Sequence, residues 1–331
     1  MIRNFIVMIG ISGSGKSTKA LELASVIKNQ NPKYDEYGRA DIVDIISSDN
    51  IREELYNNIN DTEHNEEVFK VFNQRVRYAL EHYHHVILDA TNLNIKNRST
   101  YHRTFNGVHT KFKYAYIKIA YVMTTPVSIC KERCLKREKQ IIPEFVIDRQ
   151  VHKFEVPFYK EGFEEIIFDG WNKINYSQWY GASEKDIQEV ESLMKNFNQE
   201  THHHKYTLDI HCKKCEEEIA KRTDNLVLIR AARIHDIGKL YTKTLKDDGS
   251  GEYSYHNHHN VGTYMLLQNL DKVGFYDIDD TIKLLFYVNY HMHPFFIQTE
   301  KAEKKWKAIF GEQLYNDLQL FNECDIIASG R

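Results

Sequence analysis

Gly10-Ile11-Ser12-Gly13-Ser14-Gly15-Lys16-Ser17 fits the spacing G-x-x-x-x-G-K-[ST], which suits a grip on the tail of a nucleoside triphosphate. Glycines let consecutive backbone N–H groups turn inward on phosphate oxygens, and a helix opening at the lysine adds partial positive charge. The expected nucleotide contacts are Gly10, Ser12, Gly13, Ser14, Gly15, Lys16, Ser17 and Thr18. Lys16 would reach the outer phosphates, and the Ser17 hydroxyl would hold Mg²⁺. ATP or another nucleoside triphosphate with Mg²⁺ is the expected cofactor; the loop says nothing about the acceptor.

An acceptor hydroxyl needs a base, and a phosphate beside it needs a cation. Asp49 follows the apolar run Ile42–Ile46, and Arg52 lies three residues on, on the same face of a helix. The acid can take the hydroxyl proton and the arginine can pair with phosphate. The alternative is an N-capping Asp49 and a solvated Arg52. Asp89 ends the run Val86-Ile87-Leu88, and Asn92 follows shortly after it. Both are acceptor-side candidates, and Asp89 is also suited to ordering Mg²⁺-bound water. The basic run Lys131, Arg133, Lys136, Arg137, Lys139 ends at Pro143. It is either a solvated helix face or a lid that delivers an arginine to the transferred phosphoryl group.

A second set of chemical residues lies downstream. Histidines crowd between His202 and His259, followed by His291 and His293. The adjacent pair His235-Asp236, with His211, His258, His291 and Asp325, can converge on divalent cations if several helices carry them inward. Cys212-Lys213-Lys214-Cys215 is read as a pair of helix thiols, and so are Cys130 and Cys134.

The elements needed to position these groups are visible as patterns. Short apolar runs at Phe5–Ile9, Ile42–Ile46, Val86–Asp89, Lys113–Val122 and Glu165–Phe168 alternate with helical periodicities at Glu63–Glu81, Val127–Glu138 and Phe145–Phe158. That alternation predicts a doubly wound parallel sheet. From His202 on, nearly everything reads as helix, including Leu208–Arg222, Leu226–His235, Val261–Leu270, Ile278–Tyr290 and Glu300–Phe321. The expected organisation is an α/β domain at 1–175, a connecting segment at 176–199 and an all-α domain at 200–331. With 44 basic and 47 acidic residues in 331 the net charge is −3, which argues against bulk coating of nucleic acid. Residues 101–150 nevertheless hold 10 basic and 4 acidic groups, so positive charge is available locally. No apolar run is long enough for a membrane span and no signal-peptide pattern opens the chain. Five sparse cysteines suit a reducing compartment, so a cytoplasmic location is expected.

The order GISGSGKS, SSDNIR, LDATNLN, RCLKREKQIIP resembles the kinase domain of phage polynucleotide 5′-kinase/3′-phosphatases over about residues 1–170. The resemblance implies Lys16 and Ser17 on ATP and Mg²⁺, Asp49 as general base toward a 5′-hydroxyl, Arg52 on the acceptor phosphate, Asp89 supporting the acceptor and Arg137 as lid arginine. Arg133 would share the lid role or simply pack. If the chain is phage-encoded, its compartment is the host cytoplasm. The order HHKYTLDIH, AARIHDIGK, HHNVG, NYHMH, CDIIASGR resembles the HD metal-dependent phosphohydrolases, especially HD domains beside tRNA nucleotidyltransferases, over about residues 200–331. It implies one metal site of His211, His235, Asp236 and Asp325, a second of His258 and His291 around Asp236, and Lys239 near the scissile phosphate. Mn, Fe, Co, Ni, Zn or Mg would be accepted. His202–His204, His256, His259 and His293 could be solvated or bind product. The aspartate-nucleophile signature of the phage phosphatase is not evident. Together the two halves suggest a bifunctional end-healing enzyme acting on RNA or DNA ends, with RNA favoured and tRNA among the candidates, and with a separate ligase as partner. Three other readings stay open: a nucleoside or small-molecule kinase joined to a nucleotide phosphohydrolase, a helical half that only binds tRNA, and a nucleotide-gated regulator. Oligomeric state is left open.

Overall fold

The computed structural model describes residues 2–30, 34, 41–59, 61, 63–112, 116–137, 141–171, 180–202 and 205–330. The chain forms two compact units, Met1–Gln150 with Glu161–Trp171, and Val151–Lys160 with Asn172–Arg331.

In the first unit, five strands form a parallel sheet: β1 (Arg3–Ile9), β2 (Val43–Ser47), β3 (His85–Asp89), β4 (Tyr116–Val122) and β5 (Glu165–Phe168), in the order β2-β3-β1-β4-β5. The helices are α1 (Lys16–Gln30), α2 (Ser48–Tyr56), α3 (Asn65–Glu81), α4 (Ile95–Phe112), α5 (Val127–Leu135) and α6 (Glu144–Val151). β1 lies at the centre, with Phe5, Val7 and Ile9 fully buried. α1 turns Ala20, Ala24 and Ile27 onto Ile6, Met8, Ile87 and Tyr121, the burial expected of a strand covered on both faces. Strand order departs in both directions from β1, so the carboxyl ends of β1 and β3 open at the switch point where such sheets bind ligands. Register pairs Ser47 with Asp89, so the ends of β2 and β3 present their following loops side by side.

The second unit is mostly helical, as expected: α7 (Glu184–Ser192), α8 (Leu208–Ala220), α9 (Leu226–Ile234), α10 (Lys239–Thr242), α11 (His258–Leu267), α12 (Leu270–Val273), α13 (Ile278–Tyr290), α14 (Glu300–Phe310) and α15 (Glu312–Ala328). α13 is buried along nearly its whole length, from Thr281 to Tyr290, which makes it the unit's central rod. The segment Val151–Lys160 belongs to this core. Phe154 packs on Tyr264, and Phe158 packs on Phe286 and Phe310. Asn289 Oδ1 accepts from the Val156 N–H at 2.7 Å, and Asn260 Nδ2 donates to the His152 carbonyl at 2.8 Å.

Four local readings change. The helix expected over Phe145–Phe158 stops at Val151, because Asn289 and Asn260 bind its next turns as extended chain ahead of Pro157. The helix expected over Glu300–Phe321 breaks at Gly311, where φ is +84°, a value glycine alone takes cheaply. Between α10 and α11 stands a two-stranded ribbon, β6 (Thr244–Leu245) and β7 (Tyr253–Ser254), turned by Gly249 and Gly251 at positive φ. α4, too polar to show a clear period, was not foreseen.

Candidate active sites

The phosphate loop runs from the end of β1 into α1. Gly13 (φ +79°) and Gly15 (φ +93°) adopt left-handed backbone, and a Cβ on Gly13 would meet the Cys130 carbonyl oxygen at 2.4 Å. The loop is thus wedged against α5, with Cys130 and Cys134 as packing thiols. Ser14 is buried and its carbonyl accepts from Thr125 Oγ1 at 2.8 Å. Ser12 is held twice by Gln150 on α6: its N–H donates to Oε1 at 2.6 Å, and Gln150 Nε2 donates to its Oγ at 3.0 Å. Gln150 was not foreseen, because 138 residues separate the partners.

Lys16 is buried and folds back over the loop, its Nζ donating to the Ile11 carbonyl at 2.8 Å. Burial lowers its pKa, with Asp89 and Asp49 opposing and Arg137 adding to the fall. Ser17 Oγ donates to Asp89 Oδ2 at 2.8 Å, which brings Asp89 to the phosphate-loop side. Thr18 is exposed on the first turn of α1. Asn92 (φ +49°) is buried, and its Nδ2 donates to the carbonyls of Met8 and Ala90, which ties the strand ends together.

The cap of α2 is Ser47, whose Oγ accepts from the Asn50 N–H. Asp49 is therefore not the cap, and its carboxylate is 59 % exposed. Arg52 Nη1 reaches Asp49 Oδ1 at 2.8 Å, while Nη2 donates to Asn65 Oδ1 on α3 at 2.8 Å. The two residues share a helix face, and Asn65 fixes the guanidinium. In the basic run, Lys131 is spent on Asp148 (2.9 Å) and Glu144 (3.3 Å), and Lys136 on Glu132. Arg133 Nη1 donates to the Gly13 carbonyl at 3.3 Å, and Arg137 lies close enough to Lys16 to act on its charge. Lys139 lies outside the described residues.

In the second unit, five elements bring the six expected residues together: His211 on α8, His235 and Asp236 after α9, His258 at the start of α11, His291 after α13, and Asp325 on α15. Asp236 is shared. Its Oδ2 faces His211 Nε2 (3.3 Å) and His235 Nε2 (3.4 Å), and its Oδ1 faces His258 Nε2 (3.0 Å) and His291 Nε2 (3.5 Å). Asp325 Oδ1 completes the first group, 2.9 Å from His211 and 3.5 Å from His235. Each trio, His211–His235–Asp236 and Asp236–His258–His291, has ligand atoms within 4.8 Å of one another.

The tautomers follow from the partners. His235, His258 and His291 each donate Nδ1–H to a backbone carbonyl at 2.8 Å, from Ala232, Tyr255 and Val288. A carbonyl can only accept, so in the neutral rings Nε2 carries a lone pair. This is the backing that ligating imidazoles use. Two such lone pairs, on His258 and His291, meet at 3.1 Å beside a carboxylate oxygen. Acceptors so placed repel unless a cation or a proton lies among them. His235 Nε2 is likewise buried, facing carboxylate oxygens of Asp236 at 3.4 Å and of Asp325 at 3.5 Å. The donor set fits one or two divalent cations. Without one, burial disfavours charge on His211, but the bonds to Asp236 and Asp325 outweigh it and raise its pKa to about 9. Burial likewise opposes the charge on Asp236, but Lys239, His235 and His258 hold its carboxyl well below the usual range.

Lys239 is buried, its Nζ 2.6 Å from Asp236 Oδ2 and 2.9 Å from Gln199 Oε1. Gln199, from the segment expected to be only a connection, was missed; nothing in its polar surroundings signalled it. Gly238 packs so closely on α11 that a Cβ would lie 1.9 Å from the His258 carbonyl oxygen. A cavity of about 430 Å³ opens over Asp236, Lys239, His258 and Asp325. The remaining histidines divide: His202 pairs with Glu252 at 2.6 Å, His256 is exposed, His293 packs on Trp306, and burial pushes the His259 pKa down to about 2. His203 and His204 lie outside the described residues.

A family model described as an AAA domain matches residues 5–157, the stretch carrying the phosphate loop, Asp49, Asp89 and the basic run. The N-terminal unit is a P-loop kinase-like domain. No curated protein matches the chain. Among solved structures it is similar to a chain of the Pnkp1/Rnl/Hen1 RNA repair complex, at 21% identity and a TM-score of 0.33, over 46% of this chain and 44% of that one. It is also similar to a gluconokinase from Sinorhizobium meliloti 1021, at 17% identity and a TM-score of 0.32, over 50% of this chain and 82% of that one. The chain thus spans less than half the length of the RNA repair chain it matches. Among the described residues, no helix is long and apolar enough to cross a membrane.

Proposed function

We propose that the chain heals nucleic-acid ends, RNA above all, with a different chemistry in each unit. The observation that carries this reading is the coexistence in one chain of a phosphate loop flanked by an Asp–Arg pair and a buried carboxylate shared between two imidazole groups. The first chemistry installs a phosphate on a hydroxyl; the second suits phosphate removal. A 5′-hydroxyl and a 2′,3′-cyclic or 3′-phosphate are the two products of many ribonucleases, and a separate ligase needs both reversed.

In the kinase-like unit, the loop amides and Lys16 would hold the triphosphate, and Ser17 with Asp89 would hold Mg²⁺ and its waters. Arg52 pairs with the acceptor phosphate. Asp49, exposed at the start of α2, accepts the 5′-hydroxyl proton as that oxygen bonds to the γ-phosphorus and the nucleoside diphosphate departs. Arg137, with Arg133, neutralises charge on the transferred group. In the helical unit, which we read as an HD-type phosphohydrolase, His211, His235, Asp236 and Asp325 would hold one cation, and Asp236, His258 and His291 a second. Bound cations lower the pKa of water and neutralise phosphate charge. Lys239 sits where it can pair with a phosphate oxygen, and the Nδ1–H bonds keep each ring oriented.

The test is a product analysis of both termini. An oligoribonucleotide with a 5′-hydroxyl and a 2′,3′-cyclic phosphate is incubated with ATP, Mg²⁺ and a panel of divalent metals. The reading expects a 5′-phosphate and a free 3′-hydroxyl. Unlabelled 5′ ends alongside phosphorylated small molecules would overturn the kinase half; phosphate release insensitive to chelators would overturn the hydrolase half.

A further inference from the structure

The cavity over the His/Asp cluster has walls of two kinds. Asp236, Lys239 and Asp325 make part of it charged, and Tyr253, Tyr255, Met292 and Phe295 also line it. The two tyrosines are already engaged. The Tyr255 hydroxyl donates to the Gln199 carbonyl at 2.5 Å and its ring takes Lys239 Nζ at 5.7 Å, while Lys243 Nζ sits 4.3 Å over the Tyr253 ring. Lys246, which also lines the cavity, is neutralised by Glu252 at 2.6 Å. Phe295 differs. It is 39 % exposed and has no ring or cation partner among the described residues. It is also held firmly, in a 3₁₀ turn over His293–Phe296 that Pro294 opens, four residues after His291. The Phe295 N–H donates to the Met292 carbonyl at 3.2 Å and the Ile297 N–H to the Pro294 carbonyl at 3.2 Å.

We infer that Phe295 is the stacking platform for the nucleobase of the terminal nucleotide whose 3′-phosphate is presented to Asp236 and Lys239. This deepens the hydrolase reading above and rests on it. A rigid, exposed aromatic face costs little to order, and every base has a π-face, so stacking gives affinity without sequence preference, as an enzyme for arbitrary ends requires. The cavity of about 430 Å³ matches one nucleotide rather than a duplex. The bound nucleotide is either the end of a strand or a free mononucleotide; both share the chemistry of a base and a 3′-phosphate.

The test uses the full chain and two probes: an oligoribonucleotide ending in 2-aminopurine riboside 3′-phosphate, and that mononucleotide alone. The wild type is expected to quench 2-aminopurine fluorescence on binding. Phe295→Ala should lose the quenching, bind about tenfold more weakly and raise KM without a comparable change in kcat. Phe295→Trp should restore all three, and Phe296→Ala, 66 % exposed and outside the cavity lining, should change none. Tight binding of the oligonucleotide over the mononucleotide marks a strand end; equal binding marks a free nucleotide. Unchanged quenching and KM in a folded Phe295→Ala protein would overturn the inference, even with phosphate release intact. Because quenching is read without turnover, its loss in Phe295→Ala supports the inference even if no phosphate is released from any end, the result that would instead sink the hydrolase reading.

Discussion

At the scale of single residues, the two sites differ in how they hold charge. Asp49 keeps its carboxylate in water and leans on one arginine, which is itself steadied by Asn65. In the end-healing reading, that exposure leaves the proposed base open to a long polymer. Replacing it with asparagine preserves shape and removes the proposed proton acceptor. Asp49→Asn should therefore lower 5′-labelling of a hydroxyl-ended oligonucleotide by at least about 10²-fold while nucleotide affinity, read by titration with a fluorescent ATP analogue, stays within a few-fold. His102 is the opposite case. It is buried on α4 against Phe163, neither ring nitrogen has a hydrogen-bond partner among the described residues, and burial, then Lys118 and Arg98, pushes its pKa down to about 4. The unfolded chain takes up this proton near pH 6.5 and the folded chain only near 4. The stability it contributes is complete above about pH 6.5 and is lost as pH falls through that interval, by up to about 3 kcal/mol. Thermal melts of wild type and His102→Leu between pH 7 and 5 should show a shallower fall in the variant. The slope will not vanish, since His85 is also held down to about 4, by burial and by Arg3. An unchanged slope would show that His102 is not held neutral.

At the scale of elements, close approach decides geometry. Gly238 lets α10 lie on α11, and through that contact Asp236, Lys239 and His258 reach one another. Its φ is ordinary, so the requirement is room and not backbone freedom. Gly238→Ala must push the helices apart and should cost at least about 2 kcal/mol in denaturant unfolding, with reduced metal content by elemental analysis. A stable, fully loaded variant would show that the helices can shift without loss. Some candidate residues were legible in the sequence because their spacing is local: the glycine loop, the Asp49–Arg52 pair, the adjacent His235-Asp236; His211, His258, His291 and Asp325 are scattered and were grouped with them through the family resemblance. Their supports were not. Gln150 on Ser12, Asn65 on Arg52 and Gln199 on Lys239 are ordinary amides whose meaning lies in partners far along the chain or on another element. The β6–β7 ribbon escaped for a related reason, since two-residue strands carry no period to read.

At the scale of the molecule, the sequence patterns supported a parallel α/β sheet followed by helices, and the described fold has that order. Where one compact unit yields to the other could not be read locally, because Val151–Lys160 is apolar enough to serve either core. If the two chemistries are independent, a molecule lacking one should be rescued by a molecule lacking the other. A mixture of Asp49→Asn and Asp236→Asn proteins should convert both termini of one oligonucleotide, at about half the rate of wild type for each end at equal total protein. Failure of the mixture, with each single activity intact, would mean that one molecule must process both ends together.

The crossing of Val151–Lys160 has a practical corollary for anyone dividing the polypeptide. A nick after Trp171 would strip the downstream fragment of Phe154, Val156 and Phe158, leaving Tyr264, Phe286 and Phe310 facing water and Asn289 bereft of its backbone partner. Dissection into self-sufficient pieces would thus demand that this decapeptide travel with the histidine-bearing half.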